Sequence, residues 1–114
     1  MNETLTIVVF AHNEADCIAD LLADLRRQSV LADEEIRHAI VHLLCNGCTD
    51  ATCDIARRAT CDDPRFVVHE ITKSGKANAW NLVGSLTPED SHHIVFCDAD
   101  IRILNTNAIE ELLS

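Results

Sequence analysis

Apolar residues recur along the chain with two alternating periodicities. Four short apolar runs that contain β-branched residues have the length and composition of buried strands. They are residues 5–10, 40–44, 66–68 and 93–97. After each run, apolar residues recur three and four positions apart, which is the spacing of one helical face. These helical segments are 13–28, 51–59, 75–86 and 105–113. The pattern therefore predicts strand and helix in alternation, four times over.

Several helix ends can also be predicted from the sequence. Thr49 and Asp50 are candidate N-caps of the second helix. Asn107 lies three residues before Glu110, a capping arrangement, at the start of the last helix. The residues of the last helix that we expect to face the core are Ile109, Leu112 and Leu113.

Strands that are apolar on both faces are typical of a parallel sheet covered by helices on two sides. We therefore predict an α/β fold with a doubly wound, mostly parallel sheet and helices on both faces. A length of 114 residues fits a single domain, 1–114, and 47% hydrophobic residues are enough for a core. Ligands of such sheets bind beyond the carboxyl ends of the strands, so function is expected in the loops that follow them.

Charge and terminal sequence exclude some classes of partner. The formal net charge of −10 repels a phosphate backbone. The arginine pairs 26–27 and 57–58 end predicted helices, where cations complement the helix dipole, so we interpret them as structural. We expect no nucleic-acid partner. The first residues carry no basic region, and no apolar run is long enough for a signal peptide or a membrane span, so a cytoplasmic protein is expected.

Six cysteines leave a metal or redox alternative open. Cys17 and Cys97 lie in predicted apolar elements and are expected to be buried thiols. Cys45 and Cys48 have zinc-type CxxC spacing, but no second CxxC or HxxxH completes a site. Further candidate ligands are Cys53, Cys61 and His69. A zinc or redox domain is therefore a lesser alternative.

Polar residues follow the first two predicted strands. His12, Asn13 and Glu14 come at a predicted helix start, where backbone N–H groups are free. Asn13 also suits a helix cap. The imidazole of His12 can stack on a planar base, and the carboxylate of Glu14 can accept hydrogen bonds from ribose hydroxyls. Residues 46–50 form a turn whose Asn-Gly suits positive φ.

The last two loops carry charge. Lys73 and Lys76 flank Gly75 at a predicted helix start, which attracts phosphate, although a solvated lysine pair explains them equally well and the spacing is not that of a P-loop. Asp98 and Asp100 follow the fourth strand, and residues i and i+2 of an extended backbone point to the same side. Two converging carboxylates favour Mg²⁺ or Mn²⁺, whose coordination shell substrate phosphates commonly complete.

Taken in order, these segments resemble the motifs of the family 2 glycosyltransferases, whose nucleotide-sugar domain has the GT-A fold. Residues 7–14 (IVVFAHNE) look like the family's first strand and its Asn-Glu ending, and 46–50 (NGCTD) resemble its (D/N)GSTD turn. Residues 75–81 (GKANAWN) are similar to its GKxxALN segment, and 98–100 (DAD) match its DxD metal site. Each motif is weak alone, but their joint occurrence in this order is specific.

The resemblance implies transfer of a sugar from a nucleoside diphosphate sugar, commonly UDP-linked, to an acceptor that the sequence does not identify. The nucleotide-binding residues that it implies are His12, Asn13, Glu14, Asn46, Asp50, Lys76 and Asp98. Asp98 and Asp100 would hold Mg²⁺ or Mn²⁺ on the diphosphate, where a cation stabilises charge on the leaving group. Residues 1–114 would then be the N-terminal, donor-binding portion, a Rossmann-like half of the GT-A fold.

This chain departs from the family pattern at three positions. Phe10 stands where the family often has Pro, Cys45 where it often has Asp, and Cys48 where it often has Ser. Because the change at Cys45 removes a possible base-contacting carboxylate, the nucleotide stays open. Trp80, at helical spacing, is expected in the core.

The resemblance also implies a residue that this stretch of sequence does not contain. Inverting transfer needs a carboxylate base, which the family places well beyond the DxD motif. After Asp100 only Glu110 and Glu111 remain, and both are expected on a solvated helix face. We therefore predict no catalytic residue here, a base beyond Ser114, and a truncated donor-binding half that binds without turnover. Its exposed sheet edge predicts self-association.

Two other functions compete with this one. A nucleotidyltransferase would also use paired carboxylates on such a sheet, but it usually has a glycine-rich loop after the first strand, and the first glycine here is Gly47. A non-catalytic nucleotide-binding, metal-binding or interaction module of the same fold is the other alternative. Metal-dependent nucleotide binding that requires Asp100 would distinguish a working donor site from such a module.

Overall fold

A four-stranded parallel sheet forms the centre of the computed structural model, which describes residues 3–32, 37–71 and 93–113. Its strands are β1 (Glu3–Ala11), β2 (Arg37–Asn46), β3 (Phe66–Ile71) and β4 (His93–Asp98). The spatial order is β3-β2-β1-β4, and every pair of neighbours is parallel. The chain thus adds β2 and β3 on one side of β1 and then returns to place β4 on the other side. The strand order therefore reverses between β1 and β4.

Four helices accompany the described strands. They are α1 (Ile18–Arg26), α2 (Ser29–Ala32), α3 (Thr52–Thr60) and α4 (Ala108–Leu113). α1 packs against α3, and α2 packs against β2 and α4. The predicted helix 75–86, with Trp80, lies outside the described residues. No helix in the described ranges is both long enough and apolar enough to span a bilayer. The predicted α/β fold with a parallel sheet is confirmed.

β1, the strand between β2 and β4, has buried side chains on both faces of the sheet. Leu5, Ile7 and Val9 point to one face, where they join the main core. The buried apolar residues of all four described helices belong to that core, among them Ile18, Leu21, Leu22, Leu25, Leu31, Ala56 and Ile109. On the opposite face Val8 and Leu44 are fully buried and contact Phe10 and Ile71. This continuous burial explains why the β1 sequence is apolar at successive positions.

α1 begins at Ile18, five residues later than the periodicity predicts. Asn13 does not cap it, since Asn13 has a left-handed backbone with φ of 52°. The next two amides also leave the helical pattern, because the N–H of Glu14 donates to Thr52 Oγ1 at 2.8 Å and that of Ala15 to Asp50 Oδ2 at 3.3 Å. Hydrogen bonds to a distant loop therefore replace the first predicted helical turn.

The arginine pair at the end of α1 is structural, as predicted. Arg26 donates to the backbone oxygen of Ala59 at 2.7 Å and lies over the Phe66 ring, 5.5 Å from its centroid. Arg27 donates to Asp24 at 2.6 Å. These contacts tie the end of α1 to α3 and to the start of β3.

α4 differs from the prediction in its inward face and its cap. Ile109 is buried, but Leu112 is 69% exposed, so the expectation that Leu112 faces the core is wrong. The helix is turned toward α2, because the Glu110 carboxylate accepts a hydrogen bond from the Ser29 hydroxyl at 3.0 Å. The predicted reciprocal cap is also absent at this end, since the amide of Asn107 donates to Asn105 Oδ1 at 2.9 Å.

The predicted burial of Cys17 and Cys97 and the predicted exposed edge of the sheet can be compared with the structure. Cys17 and Cys97 are only partly buried, because Cys17 precedes the first turn of α1 and Cys97 lies on the outermost strand. β4 pairs with β1 alone within the described sheet, and its Ile94 and Phe96 side chains are about two-fifths exposed.

Candidate functional site

An open cleft of about 220 Å³ lies beyond the carboxyl ends of β1 and β4, where the strand order reverses. Parallel α/β sheets bind ligands at such a point. The described residues that line the cleft are Phe10, Ala11, His12, Glu14, Asn46, Asp98, Ala99 and Asp100. This volume is below the roughly 300–1,000 Å³ of sites that enclose a drug-sized ligand.

The loop after β1 is fastened to the loop after β2 by the side chain of Asn13. Its Oδ1 accepts hydrogen bonds from the backbone N–H of Thr49 at 2.8 Å and of Asp50 at 3.3 Å. Asn tolerates the left-handed conformation that this position requires better than most residues do. Asn13 therefore acts on the backbone of the second loop.

The side chain of Asp50, in the loop after β2, bonds in turn to the loop after β1. One carboxylate oxygen accepts from the backbone N–H of Ala15, and the other accepts from the hydroxyl and the backbone N–H of Thr52 at the start of α3. Hydrogen bonds from Thr52 hold the pKa of the Asp50 carboxyl below its usual value, so the charged form is favoured. The N-cap of α3 is Ala51, so the prediction of Thr49 or Asp50 at that position is wrong by one residue or two, although the Asp50 side chain still bonds the first residue of α3 and fixes the first loop.

His12 and Asn46 meet at the floor of the cleft. Nδ1 of His12 lies 2.7 Å from the backbone oxygen of Asn46. Because that oxygen can only accept, Nδ1 carries the proton, and Nε2 of a neutral ring is left as an acceptor. The side-chain Oδ1 of Asn46 is buried and has no hydrogen-bond partner in the described part of the chain. A buried polar atom without a partner is costly, so this oxygen is suited to a donor group on a ligand.

The two aspartates share the opposite wall. β4 ends at Asp98, and the next amide, of Ala99, donates to the backbone oxygen of Phe10 at 3.0 Å. The Ala99 side chain is buried in the main core, whereas Asp98 and Asp100 are exposed and line the cleft. Both aspartates thus reach the cleft, although residues 99–100 form a turn and not the extended backbone that the prediction assumed.

Negative charge dominates the part of the cleft that the described residues line. Its lining holds the carboxylates of Glu14, Asp98 and Asp100, and no lysine or arginine occurs among the described lining residues. Carboxylate oxygens are the ligands that Mg²⁺ and Mn²⁺ prefer. A protein that binds Mg²⁺ through one or two carboxylates usually takes the remaining ligands from water and substrate phosphates. The paired aspartates fit a divalent cation of this kind.

The structure separates the predicted site residues into two groups. It brings His12, Glu14, Asn46, Asp98 and Asp100 to the cleft. Asn13 and Asp50 lie behind it, in the contacts between the two loops. Lys76 lies outside the described residues. Their contacts with a nucleotide or a metal remain predictions.

Two residues of the site were not predicted as such. Phe10 lines the cleft and stacks on Phe96 of β4, with ring centroids 6.0 Å apart. The position of Phe10 in the sequence could have indicated this, since Phe10 is the last large apolar residue before the first polar loop. The hydroxyl of Thr52 accepts a hydrogen bond from the backbone N–H of Glu14 and donates one to the carboxylate of Asp50. In the sequence, the only sign of this role is the position of Thr52 at the start of a predicted helix.

Two buried cysteines near the second loop, Cys45 and Cys53, lie outside the described lining of the cleft. Cys45 is fully buried and contacts Cys53, and burial raises the pKa of both thiols. The Cys48 sulfur lies 3.6 Å from the backbone oxygen of Ala11. Raised pKa values disfavour the thiolate that zinc binding or redox chemistry needs. Among the described side chains, no group of three or more His, Cys, Asp and Glu is arranged to hold a metal.

The similarity of this chain to known proteins extends over its whole length. A search of curated proteins gave no significant match. Among solved structures, the mannosyltransferase PcManGT from Pyrobaculum calidifontis, in complex with GDP-Man and Mn²⁺, matches with a TM-score of 0.77 and 23% sequence identity. The match covers 100% of this chain and 33% of that one, so this chain spans about a third of its length, and it establishes a shared GT-A fold. The model of the family described as glycosyl transferase family 2 matches residues 6–114, and the chain therefore belongs to this family.

Proposed function

We propose that this chain binds the donor of a glycosyl transfer reaction, a nucleoside diphosphate sugar, together with Mg²⁺ or Mn²⁺ in the cleft between β1 and β4. The family supports a glycosyltransferase, and the solved structure of similar fold holds GDP-Man and Mn²⁺. The chain would serve as the donor-binding portion of an enzyme whose acceptor is unidentified.

The observation that carries the proposal is the charge of the cleft. A diphosphate that entered among Glu14, Asp98 and Asp100 without a cation would meet three carboxylates and, in the described part of the lining, no compensating arginine or lysine. A divalent cation between the aspartates and the phosphates reverses this repulsion. Nucleotide binding should therefore depend on the metal.

Each side chain of the cleft has a part in this proposal. Asp98 and Asp100 would hold the cation, which when bound supplies stabilisation of the negative charge on the departing diphosphate. The orphaned Oδ1 of Asn46 would accept an N–H of the base, and the exposed ring of His12 would stack on it. Glu14, half-buried at the edge of the cleft, would accept from the ribose hydroxyls.

Asn13 and Asp50 contribute indirectly. Their hydrogen bonds hold the loops that carry His12, Glu14 and Asn46, so the nucleoside side of the cleft is assembled before the ligand arrives. Such preorganisation lowers the entropic cost of binding. Lys76 is proposed to contact the nucleotide on the basis of the family resemblance alone.

We further propose that the donor is UDP-linked, that transfer is inverting, and that the carboxylate base lies beyond Ser114. UDP is the nucleotide that the sequence resemblance favours, whereas the similar solved structure holds GDP-Man. Since Cys45 replaces a residue that the family often uses, UDP and GDP must both be tested, with CDP as a third nucleotide.

Calorimetric titration of the purified chain tests the proposal. UDP or GDP should bind in the presence of Mn²⁺, and EDTA should abolish the binding. Asp100→Asn should weaken it by about 10-fold or more, because one of two carboxylate ligands loses its charge. Asp62→Asn removes an exposed carboxylate that lines no part of the cleft and should leave binding unchanged. Equal effects of the two substitutions, or binding that persists in EDTA, would contradict the proposal.

A further inference from the structure

A fully buried carboxylate in α1 joins that helix to the segment after the paired aspartates. Asp24 is 0% exposed. Its two oxygens accept hydrogen bonds from Arg102 Nε at 2.7 Å and Nη2 at 3.0 Å, and from the backbone N–H of Ile103 at 2.9 Å. Arg27, on the same helix, donates to it at 2.6 Å. Asp24 is therefore satisfied by groups of two separate parts of the chain, 78 residues apart in the case of Arg102.

Arg102 follows Asp100 by two residues, in a stretch of irregular backbone. Residues 101–104 form neither helix nor strand, so no ladder of backbone hydrogen bonds fixes them. On the other side of Asp100, the amide of Ala99 is bonded to Phe10 of β1. Asp100 thus lies between two attachments, one to the central strand and one to Asp24.

A second set of contacts secures the same segment farther along. Buried Gln28 donates through Nε2 to the backbone oxygen of Asn105 at 2.8 Å and accepts through Oε1 from the N–H of Ile109 at 3.1 Å. The backbone N–H of Ser29 donates to the oxygen of Thr106 at 2.8 Å. These bonds hold 105–109 against the end of α1 and α2, but they begin five residues after Asp100. Among the described hydrogen bonds of the residues that follow Asp100, those to Asp24 lie nearest to it in the chain.

The Asp24 connection is both strong and directional. The hydrogen bonds from Arg102 are the main reason that the pKa of Asp24 lies below its usual value despite burial, so the carboxylate stays charged. A guanidinium that donates two hydrogen bonds to one carboxylate fixes orientation as well as distance. Losing both hydrogen bonds from Arg102 is unfavourable for a fully buried carboxylate even while Arg27 stays in contact, and this disfavours arrangements in which Arg102 moves away.

We propose that Asp24 and Arg102 form a clamp that positions Asp100 for the divalent cation. The clamp touches neither the metal nor the nucleotide, so both are positioning residues. Its function toward the metal rests on the proposed donor site. The clamp itself is a property of this chain that can be tested without any ligand.

Two arginine substitutions distinguish the effect of losing the clamp from the effect of losing any positive charge beside Asp24. Arg102→Ala removes the link to the segment, together with a longer contact of Arg102 to Asp20 at 3.8 Å. Arg27→Ala removes a guanidinium from the same carboxylate but leaves the link intact. We expect Arg102→Ala to weaken Mn²⁺-dependent UDP or GDP binding by roughly 10-fold or more, the usual effect of losing a group that orients a metal ligand. Arg27→Ala should change it less than about 2-fold, since Asp100 keeps its attachment.

Hydrogen exchange supplies a readout that does not depend on the ligand. In the metal-free chain, the amides of residues 99–104 should exchange faster in Arg102→Ala than in Arg27→Ala at a temperature where both are folded. If Arg102→Ala does not fold, Asp24→Asn is used in its place, because it keeps the shape of the side chain. The amides of residues 99–104 should then also exchange faster than in Arg27→Ala. Equal exchange in the two arginine variants, or equal nucleotide affinity, would overturn the clamp. Failure of the unmodified chain to bind any nucleotide with Mn²⁺ would instead contradict the donor site, while the exchange comparison still decides on the clamp.

Discussion

His12 Nδ1 lies 2.7 Å from the backbone oxygen of Asn46, and this contact joins the ends of β1 and β2 directly at the cleft. It places the Nδ1 proton toward that oxygen, and both His12 and Asn46 line the cleft. This part of the cleft, proposed above to bind the nucleoside, is therefore held together by contacts within the chain.

Replacing His12 should affect binding more than stability. His12→Ala removes an exposed ring, so the free energy of unfolding should fall by no more than about 1 kcal/mol, the usual net contribution of one hydrogen bond. Loss of stacking should weaken nucleotide binding by about 1–2 kcal/mol, or roughly 5- to 30-fold, by analogy with base–aromatic stacking. Denaturant unfolding and calorimetry measure the two quantities. Unchanged affinity would contradict the assignment of His12 to the base.

Two substitutions of Asn13 distinguish its side-chain contacts from its backbone conformation. Asn13→Ala loses the hydrogen bonds to the amides of Thr49 and Asp50 and places an alanine at a φ of 52°. The expected decrease in the free energy of unfolding is about 2–3 kcal/mol, with about 1 kcal/mol from each lost hydrogen bond and about 1 kcal/mol from the left-handed backbone. Asn13→Gly loses the same hydrogen bonds but tolerates the conformation, so it should be about 1 kcal/mol more stable than the alanine variant.

Urea denaturation of both Asn13 variants provides the comparison. Equal stabilities would show that the left-handed conformation is not retained in solution. Both variants should also bind nucleotide more weakly, because the loop that carries His12 and Glu14 loses its attachment.

A histidine pair on the face opposite the main core predicts a pH dependence of stability. His42 Nδ1 and His69 Nε2 lie 3.0 Å apart, and both rings are partly buried. Burial lowers the pKa of both, and the neighbouring His69 lowers that of His42 further. Below the unfolded-state pKa of about 6.5, the unfolded chain binds more protons at these sites than the folded chain does. Their contribution to stability is therefore fully present above pH 6.5 and falls as the pH drops through the folded-state pKa values.

Thermal unfolding between pH 7.5 and 5 measures this effect. In the double variant His42→Gln/His69→Gln, stability should decrease less between pH 7.5 and pH 5 than it does in the unmodified chain. His12→Gln is the matched control, since His12 is exposed at the cleft, and it should retain the decrease. An unaltered pH profile in the double variant would show that the pair does not titrate as described.

Cys45 offers a test of how the chain departs from its family. Its side chain is fully buried beside Cys53 and is not part of the cleft lining, whereas the neighbouring Asn46 is. Cys45→Asp should therefore leave nucleotide affinity no higher and should destabilise the fold by about 3 kcal/mol or more, because it buries a carboxylate without a partner. Cys45→Ala is the control for lost volume. A stable aspartate variant with tighter binding would show that position 45 does face the base.

The sequence predicts the sheet and the grouping of the cleft residues because both follow from local signals. Apolar periodicity identifies the strands, and parallel strands bring the residues that follow them, such as His12 and Asp98, to one edge. The start of α1 was mispredicted because it depends on bonds from Asp50 and Thr52, more than 30 residues away. Propensity and spacing do not contain such contacts.

Leu112 and Asp24 illustrate the same limit for side chains. Helical spacing alone places Leu112 with Ile109 and Leu113, and only the docking of α4 on Ser29 and Gln28 shows which of them faces the solvent. Asp24 looks like an ordinary polar residue of an amphipathic helix. Its burial depends on Arg102, which no local pattern connects to it.

The dependence of nucleotide binding on a divalent cation tests the proposed donor site most directly. UDP, GDP and uridine should be titrated into the unmodified chain, once with Mn²⁺ and once with EDTA. Because three carboxylates line the cleft, the diphosphates should bind with Mn²⁺ and not with EDTA, whereas any binding of uridine should be the same in both. Diphosphate binding of equal strength in Mn²⁺ and EDTA, or no diphosphate binding by the folded chain in Mn²⁺, would contradict the donor site.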